Sequence, residues 1–101
     1  MNMIKEIDCK EIMKQIEENK EEIKDKGVRR IGIFGSFIKK KETEKSDIDI
    51  LVDFKEISYN NYFELLKMLE KLFNRRIDLV IESDLKPELK YVKKEAKYVK
   101  I

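Results

Sequence analysis

Asp47 and Asp49 are the first residues whose type and spacing point to chemistry. They open the run Asp47 to Phe54, which reads as a β-strand, and carboxylates two apart on a strand project from one face. Ten residues earlier, Gly35-Ser36 closes a second apolar run, Val28 to Phe34. A small Gly-Ser turn lets backbone approach an anion closely. Asp78 stands among apolar neighbours in a third strand-like run, Arg76 to Ile81. It is the natural third carboxylate if that strand lies beside the second. Mg²⁺ prefers octahedral oxygen ligands and commonly takes one or two carboxylates plus substrate phosphates. Two such ions about 3.5–4 Å apart stabilise both the attacking and the leaving oxygen of an in-line displacement at phosphorus. Repelling acids on a rigid element, with a phosphate-sized turn nearby, suit a metal-dependent site that handles a nucleotide's phosphates.

Each part taken alone has a plainer reading. Asp-x-Asp is common on half-exposed strands, an isolated strand aspartate is usually a surface carboxylate, and Gly-Ser is an ordinary turn. Asp53 illustrates this: it continues the face of Asp47 and Asp49, yet suits a strand end or solvent. The combination is what carries the chemistry.

The elements that must position these residues follow from periodicity. Asp8 with Glu11 forms a capping-box pattern ahead of Ile12, Met13, Ile16 and Ile23, and Gly27 is placed to end that helix. Gly32 inside the first strand hints at close backbone approach or a tightly packed helix. Phe37 to Lys40 suits a short helix whose amides point back at the Gly-Ser turn, and Lys41 to Lys45 reads as a loop. In the second strand Ile48, Ile50, Val52 and Phe54 face one way, and Asp47, Asp49, Leu51 and Asp53 the other. Ser58 to Asn61 offers caps for a helix striped by Tyr62, Leu65, Leu66, Leu69, Leu72 and Phe73. Pro87 suits the first turn of a last helix reaching about Ala96, and Lys97 to Ile101 reads equally as a fraying helix end or an edge strand. The order α-β-α-β-α-β-α predicts an α/β (α+β) fold, a small mixed sheet covered by helices on one side.

Composition bounds the rest. A chain of 101 residues makes one domain, 1–101, with a modest core and no separate substrate domain. The charged share is 44%, well above the usual quarter, a composition that suits surface ion-pair networks and a thermophilic source. Net charge is only +2, yet residues 27–46 carry six bases against two acids and residues 47–83 five bases against eight acids. A basic segment ahead of an acidic strand suits a polyphosphate with its metal better than long nucleic acid, so no DNA partner is expected. One cysteine, Cys9, excludes an internal disulfide and reads as inert packing, and the absence of histidine removes the commonest zinc ligand. Tyr59, Tyr62, Tyr91 and Tyr98 read as core or surface aromatics rather than base-stacking platforms. No apolar run reaches membrane-span length and Met1 to Cys9 lacks a signal-peptide core, so a soluble cytoplasmic protein is expected.

Gly32-Ile-Phe-Gly-Ser, ten residues, Asp-Ile-Asp-Ile-Leu-Val-Asp-Phe54, and then Arg75-Arg-Ile-Asp-Leu-Val-Ile81 together resemble the DNA polymerase β-like nucleotidyltransferase superfamily. The stretch is most similar to its minimal branch, the MntA-like proteins, and the resemblance spans nearly the whole chain. It implies a polymerase β-like fold and Mg²⁺-dependent transfer of AMP from ATP to a hydroxyl, with pyrophosphate leaving. It implies further that the chain pairs, as antitoxin, with a HEPN ribonuclease toxin in a heteromeric complex and adenylylates a tyrosine of it. On that reading Gly35, Ser36 and Lys39 hold the nucleotide's phosphates. Asp47, Asp49 and Asp78 bind two Mg²⁺ ions, and Asp78 helps deprotonate the incoming hydroxyl. The family usually has Arg-Gly where this chain has Lys39-Lys40, which keeps charge but loses the bidentate fork and a flexible residue. The alternatives are an antitoxin that blocks its partner by contact alone, or nucleotidyl transfer to a small molecule.

Overall fold

The computed structural model describes residues 8–35 and 47–101. Asp8 caps the first helix as its spacing predicts, its Oδ1 accepting from the Glu11 amide at 2.9 Å. The expected single helix is two, α1 (Cys9–Glu18) and α2 (Lys20–Asp25). The break falls at Asn19, whose side-chain amide donates to the Gln15 carbonyl at 2.8 Å. That is the local competition by which asparagine interrupts helices. The apolar stripe survives it, because Ile12, Ile16 and Ile23 are all fully buried.

Strand β1 (Val28–Phe34) and strand β2 (Ile48–Phe54) follow. The short helix expected over Phe37 to Lys40 lies outside the described residues. Helix α3 (Tyr59–Phe73) is capped by Ser58, whose Oγ accepts from the Asn61 amide at 3.1 Å, and ends at Asn74 in the left-handed conformation. Strand β3 (Ile77–Ile81) comes next. The predicted last helix is mostly absent. In its place are single 3-10 turns at Glu82–Asp84 and Pro87–Leu89 and a short helix α4 (Tyr91–Glu95). The tail resolves in favour of a strand, β4 (Lys97–Val99).

The sheet order is β3-β2-β1-β4, with β2 and β3 parallel and the other pairs antiparallel. Helix α3 supplies the crossover a parallel pair requires. One face carries Ile31, Ile33, Ile48, Ile50, Val52, Phe54, Ile77 and Leu79, which pack with Ile12, Ile16, Ile23, Leu65 and Leu69 of α1 to α3. Each fully buried Ile or Leu contributes roughly 1.5–3 kcal/mol.

The other face holds the acids, but it is not purely polar. Leu51 points there and is fully buried. Residues 82–95 cross this face on the way from one sheet edge to the other, and Leu85, Leu89 and Val92 share a cavity wall with Phe34 and Val80 of the sheet. Those apolar positions lie along the sheet instead of winding into one long helix. Gly32 is explained by a strand and not by a helix. A Cβ there would meet Tyr98 Cδ1 of β4 at 2.9 Å and the Lys97 carbonyl at 3.0 Å.

Candidate functional site

Strand register brings the two best candidates together. Asp49 of β2 pairs directly with Asp78 of β3 in the parallel ladder. Neighbouring strands lie about 4.8 Å apart, so paired residues project side by side from the same face. Asp78 is exposed and Asp49 partly buried. Asp47 is exposed one residue ahead of β2, two positions from Asp49 on the same alternation. Beyond Asp49 on the other side, Phe34 is its antiparallel partner in β1, and Gly35 follows.

Gly35 has φ +78°, a conformation that favours glycine. A Cβ on Gly35 would collide with Asp49 Oδ2 and stand 2.9 Å from Asp49 Cγ. The carboxylate therefore occupies the space a side chain would fill, and only glycine lets the turn and the acid coexist. Ser36 and Lys39 lie outside the described residues.

Beside Asp78 a cavity of about 370 Å³ opens between the sheet and the crossing segment. Phe34, Val80, Leu85, Leu89 and Val92 make it largely apolar, while Asp78 and Glu95 supply carboxylates. What holds the crossing segment down is Glu82, a residue the sequence reading did not single out. Its buried carboxylate accepts from Arg30 Nε at 3.1 Å and Nη2 at 2.8 Å, and from the Tyr98 hydroxyl at 3.2 Å, with Lys93 Nζ 3.6 Å away. The Arg30 guanidinium also sits 5.0 Å over the Tyr98 ring. Hydrogen bonding to Glu82 raises the Arg30 pKa above its ordinary value, against an opposing effect of burial. Burial and the adjacent Glu82 carboxylate push Tyr98 upward. Tyr62 is raised by burial first and then by the charges of Asp78 and Asp84, and its hydroxyl donates to the Leu79 carbonyl at 2.7 Å.

The signal for Glu82 was in the strand parity, since 78, 80 and 82 share a face, but its partner Arg30 is 52 residues away. Arg29 is also taken up, by Asp53 at 2.9 Å, which gives Asp53 an ion-pairing role at the strand end. Cys9 packs against the core.

The donors fit Mg²⁺. Asp49 and Asp78 present only hard oxygen ligands, on one face, beside open space. Asp47, Asp49 and Asp78 all lie among the described residues, and the structure does not gather the three carboxylates into one metal-holding group; it brings together Asp49 and Asp78 by strand register.

Residues 10–99 match the polymerase beta nucleotidyltransferase family. The chain belongs to that family. Within it, the protein adenylyltransferase MntA of Thermococcus cleftensis is 46% identical over 84 residues, covering 80% of this chain and 85% of that one. A solved structure assigned to the minimal nucleotidyltransferases superposes with a TM-score of 0.79 and 31% identity, covering 90% of this chain and 95% of its own. The MNT antitoxin bound to a tri-AMPylated HEPN toxin of Shewanella oneidensis shares the fold, with a TM-score of 0.60 at 22% identity over 85% of this chain and 70% of that one. The chain is an adenylyltransferase of the polymerase β-like nucleotidyltransferase fold, and its mixed sheet and helices agree with the expected architecture.

Proposed function

We propose that this adenylyltransferase moves AMP from ATP to a tyrosine hydroxyl of a HEPN-type toxin and so serves as the antitoxin of the pair, acting in the cytoplasm. The observation that carries the reading is the register pairing of Asp49 with Asp78 beside the left-handed Gly35 turn. The protein adenylyltransferase name of the Thermococcus relative and the antitoxin role of the Shewanella structural neighbour support the acceptor class.

Asp47, Asp49 and Asp78 would hold two Mg²⁺ ions, which supply neutralisation of charge on the phosphates and at the reacting phosphorus. Gly35, Ser36 and Lys39 would hold the terminal phosphates, the lysine by its positive charge. The acceptor's hydroxyl oxygen bonds to the α-phosphorus as the bond from that phosphorus to the bridging oxygen breaks. Pyrophosphate leaves, and the hydroxyl proton passes to the Asp78 carboxylate.

The test uses the purified chain, Mg²⁺, α-labelled ATP and a HEPN-domain protein that the chain binds. Label should reach the HEPN protein, and Asp78→Asn should abolish labelling. An Asp78→Asn chain that neutralises the HEPN protein as well as the native one would instead establish blocking by contact alone.

A further inference from the structure

The chain has four tyrosines, Tyr59, Tyr62, Tyr91 and Tyr98, and the fold gives their hydroxyls different surroundings. The Tyr62 hydroxyl donates to the Leu79 carbonyl, and the Tyr98 hydroxyl donates to Glu82. Tyr59 lines a different groove, at the start of α3. Tyr91 is unlike all three. It opens α4, its side chain is half-exposed, and it lines the hollow of about 370 Å³ whose wall includes Asp78 and Gly35. Glu95, four residues on and so on the same side of the helix, lines that hollow too. Among the described residues Tyr91 supplies the only hydroxyl in this wall, and none of them hydrogen-bonds to it. Leu89 and Val92 already give the wall its apolar contact, so packing alone does not call for a phenol there.

We infer that the chain adenylylates itself on Tyr91, the hydroxyl entering the site of the same molecule as an acceptor. The inference rests on the proposed function for the reaction and adds a second acceptor to it. The Tyr91 hydroxyl oxygen bonds to the α-phosphorus of ATP as that phosphorus releases its bridging oxygen. Pyrophosphate leaves with the electron pair of the broken bond, and the phenolic proton passes to Asp78. Tethering favours the step, because a hydroxyl carried in the wall that holds Asp78 reacts without a bimolecular encounter. The helix that carries Tyr91 is fixed in place. Lys93 of α4 lies 3.6 Å from the buried Glu82 carboxylate, and β4 pairs with β1 directly after the helix. Tyr59 is 85% exposed, yet its place in the other groove keeps it from the reacting phosphorus.

The test incubates the purified full chain with Mg²⁺ and α-labelled ATP, with no other protein present, and locates the label by peptide mass spectrometry. Label should appear on Tyr91, at a rate per chain that dilution does not change. Tyr91→Phe, which keeps the ring, should lower self-labelling about tenfold or more, whereas Tyr59→Phe should leave it at the native level. A second readout needs no turnover. Mn²⁺ with a non-hydrolysable ATP analogue should broaden the Tyr91 ring resonances in NMR spectra and spare those of Tyr59. A parallel reaction adds a HEPN-domain protein that the chain binds. Label on that protein with none on the chain overturns the inference and leaves the proposed function standing. Label on Tyr91 with none on that protein supports the inference and contradicts the proposed acceptor. Undiminished self-labelling in Tyr91→Phe, a rate per chain that rises with chain concentration, or Tyr91 resonances left sharp by Mn²⁺ each overturns the inference.

Discussion

At the scale of single residues, Gly35 is the tightest constraint. Its φ of +78° and the Asp49 carboxylate lying where a Cβ would stand act together. Gly35→Ala must either change the turn or displace Asp49, and a displacement of about 1 Å at a reacting centre costs roughly a hundredfold in rate. AMP transfer should fall by about that factor in steady-state assays, while the thermal midpoint drops only modestly because strain at one such position costs about 1 kcal/mol. Tyr62 makes a second prediction, on pH. Its pKa is raised in the fold, so the neutral hydroxyl is favoured by folding. That stability is fully present below the unfolded value near about 10 and is lost as pH rises through the higher folded value. Tyr98 behaves in the same sense. Tyr62→Phe should cost about 1 kcal/mol at neutral pH through the lost bond to Leu79. It should also make the fall of the thermal midpoint above about pH 10 shallower, as thermal scans across that range would show. Gly35, Asp49 and Asp78 were legible in the sequence because type, spacing and strand parity are local signals. Glu82 was not, since a buried carboxylate is defined by its partner, and Arg30 lies on another strand.

At the scale of elements, the β-strand alternation and the α3 stripe transferred directly into structure. The departures have local causes. Asn19 bonds back to Gln15 and divides the first helix, which an apolar stripe at helical period cannot reveal. The last helix reduces to short turns because Leu85, Leu89 and Val92 are drawn onto the sheet face. Strand β4 is three residues long, too short for alternation to distinguish it from a helix end. The Glu82 cluster joins β1, the crossing segment, α4 and β4. Glu82→Gln should destabilise by about 1–3 kcal/mol, moderated because the Arg30 side chain is half-exposed. A double-mutant cycle with Arg30→Met should show coupling, the pair of changes costing less than the sum of the two.

At the scale of the whole molecule, the sheet divides labour between its faces. Helices α1 to α3 cover one face and supply the core. The other carries Asp49 and Asp78 in register, with a largely apolar cavity whose wall includes both Asp78 and Gly35. On the proposed function, this acidic pair holds the metal that accompanies the nucleotide. Mn²⁺ titration followed by electron paramagnetic resonance, with a non-hydrolysable ATP analogue present, measures this most directly. The native chain should bind Mn²⁺ cooperatively with the analogue, and Asp49→Asn or Asp78→Asn, correctly folded, should each weaken that binding tenfold or more. Native Mn²⁺ binding in both variants would contradict the assignment.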